Sequence, residues 1–284
     1  MNRNHEILAE IRRQPWAIVP TIMDGMLQAL AAGEYQPAAR DRSANVDGAV
    51  AVLPIYGTIT QRGGWWSESA DAIGQALDAL IAAKNVGSIV LDIDSPGGSV
   101  YGVKELADKV HAARGKKPIV AVANSLAASA AYWIASQADE LVVTPGGEVG
   151  SIGVFMVHAD DSQFWEDMGV KITKIQSGKY KAEGYCEPLS DEAQAAMQAD
   201  CDAYYAMFTR AVARGRGVGV EQVRQGFGEG RCVMANAALA ENMVDRVATL
   251  DAVLGGLTSG QTKRGRSLAE AAAVVRMAEI EKTG

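Results

Sequence analysis

Apolar and polar positions alternate along the chain in a pattern that predicts strands and helices in turn. Continuous apolar runs at Val50–Ile55, Ser88–Ile93 and Pro118–Ala123 predict buried strands. The segment between the first two runs carries apolar residues at helical spacing, as at Ile73 and Leu77. Strands that alternate with helices predict an α/β fold with right-handed βαβ crossovers.

The same periodicity predicts further elements in the second half of the chain. They are a small-residue helix at Leu126–Ala138, strands at Leu141–Val143, Ile152–Val157 and Val170–Ile175, and helices at Phe164–Met168 and Ser190–Arg214. Polar stretches flank this core at both ends. We therefore predict an N-terminal extension at 1–47 with an amphipathic helix in Trp16–Ala32, a central domain at 48–254, and a linker with a last helix at 255–284.

Composition narrows the class of protein. The 284 residues are 48% hydrophobic and 21% charged, which is ordinary for a globular chain. The net charge of -7 and the lack of a basic stripe argue against a nucleic-acid binder. An odd number of cysteines without zinc spacing predicts reduced thiols and a structural Cys232. We expect neither a metal site nor a cofactor. No apolar run approaches the length of a membrane span, so we expect no membrane anchor.

The turn Asp94–Ser99 is the first candidate for chemistry. It follows a predicted strand, and Pro-Gly-Gly at its centre predicts a sharp turn into a helix with bare N–H groups. Such groups suit a phosphate, a carboxylate or the oxyanion of an acyl transfer. No Gly-Lys-Ser/Thr follows and the Gly-x-Gly-x-x-Gly spacing is missing, which argues against a nucleotide site.

Ser129 lies among very small residues at the start of a predicted helix. Small neighbours would let a substrate carbonyl approach its hydroxyl. The N–H of Ala130 could then point to the same place as that of Gly97 or Gly98 and complete a two-donor oxyanion hole. The alternative is an Ala/Ser-rich helix that simply packs on the sheet.

A serine nucleophile needs a base, and the residues leave two possibilities open. His158 ends a predicted strand and is followed by Asp160 and Asp161, which permits a Ser129–His158–Asp triad. The segment Ser177–Ala182 offers two lysines. A lysine acts as a base only when it is neutral, which requires a desolvated or cation-rich site.

Several motifs taken together resemble one family. In chain order they are Leu53–Ile59, Asp94–Gly98, Ala127–Tyr132, Gly150–Val154, Ser177–Lys181 and Ala238–Asp245. This set resembles the signal peptide peptidase A family of serine peptidases, and within it the bacteriophage capsid-protease branch. The resemblance covers residues 48–254.

The resemblance implies a Clp-protease/crotonase-like fold and a Ser–Lys dyad. The roles it carries over are Ser129 as nucleophile, Lys181 as general base, Ser151 as the group that orients the lysine amine, and Gly97 (or Gly98) with Ala130 as oxyanion donors. Lys179, the rival base, falls on the variable position of the family's Ser-Gly-x-x-Lys pattern.

The chain departs from the family pattern at three places. Ala130 and Ala131 stand where glycine is usual after the nucleophile, and Val149 replaces a threonine. The usual Gly-Leu-Val-Asp is Asn242–Asp245 here. None of these changes removes a proposed catalytic group.

The function implied by the resemblance is a Ser–Lys endopeptidase of phage head assembly. Its expected substrates are scaffold or capsid proteins and its own termini, and its expected state is a homo-oligomeric ring in the host-cell cytoplasm or the prohead. Three alternatives remain: a cellular peptidase that degrades signal peptides, a crotonase-like acyl-CoA enzyme, and a catalytically idle capsid-building protein.

Overall fold

The structure is a computed structural model and describes residue 11 and residues 14–34, 44–47 and 49–259. Its strands are β1 Trp16–Ile18, β2 Asn45–Asp47, β3 Val50–Tyr56, β4 Ile59–Thr60, β5 Glu68–Ser69, β6 Ser88–Ser95, β7 Gly97–Ser99, β8 Ile119–Ala128, β9 Glu140–Val143, β10 Glu148–Gly150, β11 Cys232–Met234 and β12 Arg246–Val247. The α-helices are α1 Pro20–Ala31, α2 Ala70–Ala82, α3 Val103–Ala113, α4 Ala130–Ala135, α5 Ser162–Asp167, α6 Asp191–Arg216, α7 Val220–Gln225, α8 Ala235–Ala240 and α9 Leu250–Thr258. The last helix predicted from the sequence lies outside the described residues, as does much of the predicted extension.

The central sheet is built on parallel strands joined by helices. Its strand order is β11-β10-β8-β6-β3-β2, and β8 also pairs with β9, which pairs with β12. β3 pairs with β6 and β6 with β8 in parallel, and α2 and α3 form the two crossovers. The predicted α/β fold with βαβ crossovers is therefore confirmed.

β8 is long enough to pair with two different strands on the same edge. Its first half, Val120–Ala123, pairs with β9, and its second half, Leu126–Ala128, pairs with β10. The predicted helix at Leu126–Ala138 is wrong at its start for this reason. The ladder with β10 keeps the chain extended to Ala128, and the helix occupies only Ala130–Ala135.

Apolar side chains cover both faces of the sheet, as parallel strands require. On one face the main core takes in Leu77 of α2, Leu106 of α3 and Phe208 of α6. On the other, Val253 of α9 packs against sheet residues such as Val90. Because α9 runs to Thr258, the sheet-covering helix crosses the domain boundary that we predicted at residue 254.

A second, smaller sheet has the order β1-β7-β4-β5 and lies at the carboxyl end of β6. The Asp94–Ser99 turn does not lead into a helix as predicted. It forms β7, and α3 begins only at Val103. β7 stays extended because β1 and β4 pair with its two edges.

The region between β10 and α6 differs most from the sequence prediction. Neither Ile152–Val157 nor Val170–Ile175 forms a strand, although Phe155 makes one isolated bridge to Trp16. Ile175 is 97% exposed. Val170–Ile175 is therefore an exposed surface, whereas Ile152 is buried in the main core without belonging to a strand.

Candidate active site

Ser129 occupies a sharp turn between β8 and α4. Its backbone has φ 54° and ψ -118°, a conformation that is strained for any residue with a side chain. The Ser129 N–H donates to the Gly150 carbonyl at 2.7 Å, and the Ser129 carbonyl accepts from the Trp133 N–H at 2.9 Å. These bonds hold the turn in a geometry like that of strand-to-helix nucleophile elbows.

The hydroxyl of Ser129 is buried and makes no hydrogen bond to any described residue. Leaving a buried polar group unpaired costs about 1–3 kcal/mol. The strained backbone and the unpaired hydroxyl of Ser129 each lower the stability of the folded protein. That combination is typical of groups retained for chemistry.

Gly97 brings the glycine turn against Ser129. A Cβ at Gly97 would lie 2.9 Å from the Ser129 Cβ, and the φ of Gly97 is +100°. The position therefore needs glycine for its conformation and for the close approach. The turn faces Ser129, as the sequence-based hypothesis requires.

The two glycines of the turn differ in what their N–H groups do. The Gly97 N–H donates to Ser95 Oγ at 3.2 Å, while the Ser95 hydroxyl donates to the Gly57 carbonyl at 2.6 Å. The Gly97 N–H is thus engaged in holding the turn together. The Gly98 N–H is the better candidate for an oxyanion donor.

Ser151 lies beside Ser129 because their strands are neighbours. β10 pairs with the end of β8 so that Gly150 opposes Ala128. Ser129 and Ser151 are the residues that directly follow these two strand ends. Ser151 is buried with φ 52°, and its N–H donates to the Arg231 carbonyl at 2.8 Å. The parallel strands β6, β8 and β10 thus bring together the glycine turn, Ser129 and Ser151, which are far apart in the sequence.

No hydrogen bond among the described residues joins the Lys181 amine to the Ser129 hydroxyl. It lies in the exposed region between β10 and α6, and its amine makes no hydrogen bond or ion pair with any described residue. Large apolar side chains of the same region are also exposed: Phe164 (57%), Met168 (64%), Ile175 (97%) and Tyr185 (63%). We call residues 158–190, which carry Lys181, the lysine arm.

Lys179, the rival base, is already engaged. Its amine donates to Tyr180 Oη at 2.7 Å and to Glu192 Oε1 at 3.0 Å. These bonds to Tyr180 and Glu192 raise the pKa of Lys179, which favours the charged form. A charged amine cannot accept a proton.

The other candidate groups make no described hydrogen bond with the Ser129 hydroxyl. A ring nitrogen of His158 pairs with the Glu187 carbonyl at 3.0 Å, so no described contact supports the Ser129–His158 triad. Burial, with a smaller contribution from Glu148, raises the pKa of the Cys232 thiol to about 11, which keeps it protonated near neutral pH. Among the described residues no group of acidic, histidine and cysteine side chains could hold a metal ion.

The motif ending in Asp245 has a structural role that the sequence did not reveal. The Asp245 carboxylate accepts from both Arg216 Nη atoms, at 2.8 and 2.7 Å, and from the Leu141 N–H at 2.7 Å. The buried Tyr132 hydroxyl donates to the Met243 carbonyl at 2.8 Å. The motif thus ties β9 and α4 to the end of α6.

Sequence reasoning also missed β1. It lies between β7 and Phe155, next to the glycine turn and Ser129. The only local signal is a four-residue apolar run, Trp16–Val19, before Pro20, which is too short to define a period. The predicted amphipathic helix in this region is confirmed only from Pro20 onward.

None of the helices in the described part of the chain is both long and apolar enough to cross a membrane.

Comparison with known proteins gives a family match over the region that carries the site. The model of "Peptidase family S49" matches residues 111–262. The head-tail preconnector protein GP5 of Enterobacteria phage P21 is 35% identical over 254 residues, covering 85% of this chain and 50% of GP5. The capsid assembly protease C of Escherichia phage lambda is 35% identical over 188 residues, covering 64% of this chain and 43% of that protein.

A solved structure of a ClpP1 mutant from Listeria monocytogenes aligns with 70% of this chain and 91% of its own, at 17% identity and a TM-score of 0.47. The chain spans about half the length of the two phage relatives that it matches.

Proposed function

This chain belongs to peptidase family S49, and from that premise we propose that it is a serine endopeptidase with Ser129 as nucleophile and Lys181 as general base. The observation that carries the proposal is the buried, unpaired Ser129 hydroxyl at a strained turn. The acyl-CoA alternative needs neither Ser129 nor Lys181, and the match to a peptidase family does not favour it.

The reaction begins when the neutral amine of Lys181 accepts the proton of the Ser129 hydroxyl. The Ser129 oxygen attacks the carbonyl carbon of the scissile peptide bond and forms a tetrahedral oxyanion. Lys181 then gives its proton to the leaving amine as the C–N bond breaks. Water, deprotonated by the same amine, hydrolyses the ester and restores Ser129.

The oxyanion is stabilised by the N–H groups of Gly98 and Ala130. Ala130 is the first residue of α4, where a helix N–H has no partner of its own. Each such donor is worth about 10²–10³ in rate. Ser151, beside Ser129 at the strand ends, is the group that orients the lysine amine.

The dyad is completed between two copies of the chain. Ser129 is buried in the domain, whereas Lys181 lies on the exposed lysine arm. Exposed apolar side chains on that arm suit a protein interface better than water. We therefore assign the lysine arm to the contact between subunits of a homo-oligomeric ring, in which one copy supplies Ser129 and its neighbour Lys181.

The biological setting that we propose is phage head assembly. It is supported by the relatives, which are named as a head-tail preconnector protein and a capsid assembly protease. The substrates on this proposal are scaffold or capsid proteins within the prohead, together with segments of the chain itself.

The test replaces Ser129 by alanine and measures hydrolysis of a fluorescently labelled, unfolded casein. We expect Ser129→Ala to abolish hydrolysis. Ser125→Ala is the matched control, because Ser125 is also a serine with positive φ but lies exposed before the end of β8. Persistent hydrolysis by Ser129→Ala, with Ser125→Ala unaffected, contradicts the proposal.

A further inference from the structure

The strand β1 lies beside Ser129 with backbone on both of its edges. On one edge it pairs antiparallel with β7, so that Ala17 opposes Gly98. On the other, the Trp16 N–H donates to the Phe155 carbonyl at 2.9 Å and the Phe155 N–H donates to the Trp16 carbonyl at 3.0 Å. A peptide that binds by strand addition to an open sheet edge makes contacts of this kind.

The register of β1 places one carbonyl at the proposed oxyanion donor. The Val19 N–H donates to the Pro96 carbonyl at 2.9 Å, and the Val100 N–H donates to the Pro15 carbonyl at 3.2 Å. Hydrogen-bonded pairs alternate along an antiparallel ladder, so the pair between these two, Ala17 with Gly98, is also hydrogen-bonded. The Gly98 N–H therefore donates to the Ala17 carbonyl.

The Ala17 carbonyl also borders the nucleophile. A Cβ built on Gly97 would lie 2.2 Å from the Ala17 oxygen and 2.9 Å from the Ser129 Cβ. The carbonyl and the serine thus flank the same point in space. The peptide bond that follows, Ala17–Ile18, is the one that the site presents to Ser129.

Alternate side chains of the segment are held on opposite faces. Trp16 and Ile18 join an apolar cluster with Trp66 and with residues of α1, separate from the main core. The Trp16 and Trp66 ring centroids are 6.3 Å apart, and the Trp16 Nε1–H donates to the Ile11 carbonyl at 2.9 Å. Ala17 faces the main core and is fully buried, which leaves room only for a small side chain.

We propose that residues 15–19 are an internal peptide that fills the substrate groove, and that Ala17–Ile18 is the bond the enzyme cuts first. This inference rests on the proposed function. The groove lies between β7 and Phe155, and it takes an extended peptide with a small residue before the scissile bond and a large apolar residue before that.

The cleavage converts the Ala17–Ile18 amide into two new ends. The Ser129 oxygen bonds to the Ala17 carbonyl carbon, the C–N bond to Ile18 breaks, and the serine proton ends on the Ile18 amine. Water then hydrolyses the ester to leave an Ala17 carboxylate and a free Ser129. Because Lys181 comes from a neighbouring copy, the bond stays intact until subunits assemble, and other peptides enter only after the segment leaves.

The first experiment follows the intact mass and N-terminal sequence of the full chain over time. We expect the wild type to give a chain that begins at Ile18 and Ser129→Ala to give none. This comparison needs no variant of the segment itself. A product beginning at Ile18 in Ser129→Ala as well overturns the inference.

The second experiment dislodges the segment without touching the catalytic groups. Trp16→Glu places a carboxylate among apolar side chains, where it has no partner, so the segment should leave the groove. We expect casein hydrolysis by freshly purified, uncut protein to rise by about tenfold or more, because the open fraction multiplies the apparent activity. The Ile18 product should fall. Trp16→Phe, the matched control, keeps an apolar ring in the cluster and loses only the Nε1–H bond to Ile11, so it should raise casein hydrolysis far less than Trp16→Glu.

The two proposals fail in different ways. If casein is cut by the wild type, but no chain begins at Ile18 and Trp16→Glu is no faster, the inference fails and the proposed function stands. If Ser129→Ala still cuts casein, the proposed function fails. If Trp16→Glu does not fold, the mass comparison of the wild type with Ser129→Ala decides the inference.

Discussion

Two inactive variants of this chain should restore activity when they assemble together. Ser129→Ala lacks the nucleophile but keeps Lys181, and Lys181→Ala lacks the base but keeps Ser129. In the structure Ser129 is buried with an unpaired hydroxyl, whereas the Lys181 amine lies on the lysine arm without a described partner. A site shared between two copies therefore needs only one intact residue from each.

The size of the recovery follows from this geometry. Loss of a general base lowers a rate by about 10²–10⁴-fold, so neither variant alone should show much hydrolysis. In an equal mixture that assembles at random, half of the copies offer Ser129 and half of their neighbours offer Lys181. About one quarter of the sites, and so about one quarter of wild-type activity, should return.

The assay unfolds the two variants together, refolds and assembles them, and measures hydrolysis of labelled casein against each variant treated alone. A mixture of Ser129→Ala with a chain carrying both substitutions is the control, and it should stay inactive because no copy offers Ser129. Hydrolysis by the mixture no faster than the sum of the separate variants would refute the shared site.

Two further predictions concern single side chains. Lys179→Ala should leave casein hydrolysis unchanged while Lys181→Ala abolishes it, because the Lys179 amine is held by Tyr180 and Glu192; equal losses in both variants would contradict the choice of base. Asp245→Asn should lower the free energy of unfolding at pH 7 by about 3 kcal/mol, the low end for breaking a buried ion pair, because the Asp245 side chain is partly exposed. Burial alone would raise the pKa of Asp245, but the hydrogen bonds from Arg216 outweigh burial and lower that pKa. The carboxylate therefore stabilises the folded state at neutral pH, and this stabilisation is lost as pH falls through the lowered pKa. Urea unfolding at pH 7 and below pH 4 should therefore show a narrowing gap between Asp245→Asn and the wild type, and an equal gap at both would contradict this assignment.

The central parallel strands could be predicted because they depend on local pattern, whereas the serine cluster was suggested only by the family resemblance. β3, β6 and the first five residues of β8 are largely buried on both faces, so their sequences are mostly apolar runs. The carboxyl ends of neighbouring parallel strands meet at one edge of a sheet. Ser129 and Ser151 lie together because β10 pairs with the end of β8. The pattern predicted neither β10 nor the extension of β8 to Ala128, because both depend on their pairing with each other.

The position of β1 could not be predicted, because it depends on pairing partners far away in the chain. Its three residues are apolar without a period, and their neighbours are β7 and Phe155. The lysine arm misled the prediction for a related reason. Its apolar residues follow a strand-like pattern, yet in this chain they meet no sheet, as the exposure of Ile175 illustrates.

The identity of the acylated residue tests the central claim most directly. The assembled wild type would be mixed with an activated ester of a short peptide ending in alanine, quenched in acid, digested and mapped by mass spectrometry. The Ser–Lys mechanism predicts one peptidyl ester, on Ser129, that is absent from Lys181→Ala. An ester on a different residue, or undiminished peptide hydrolysis in Ser129→Ala, would contradict it.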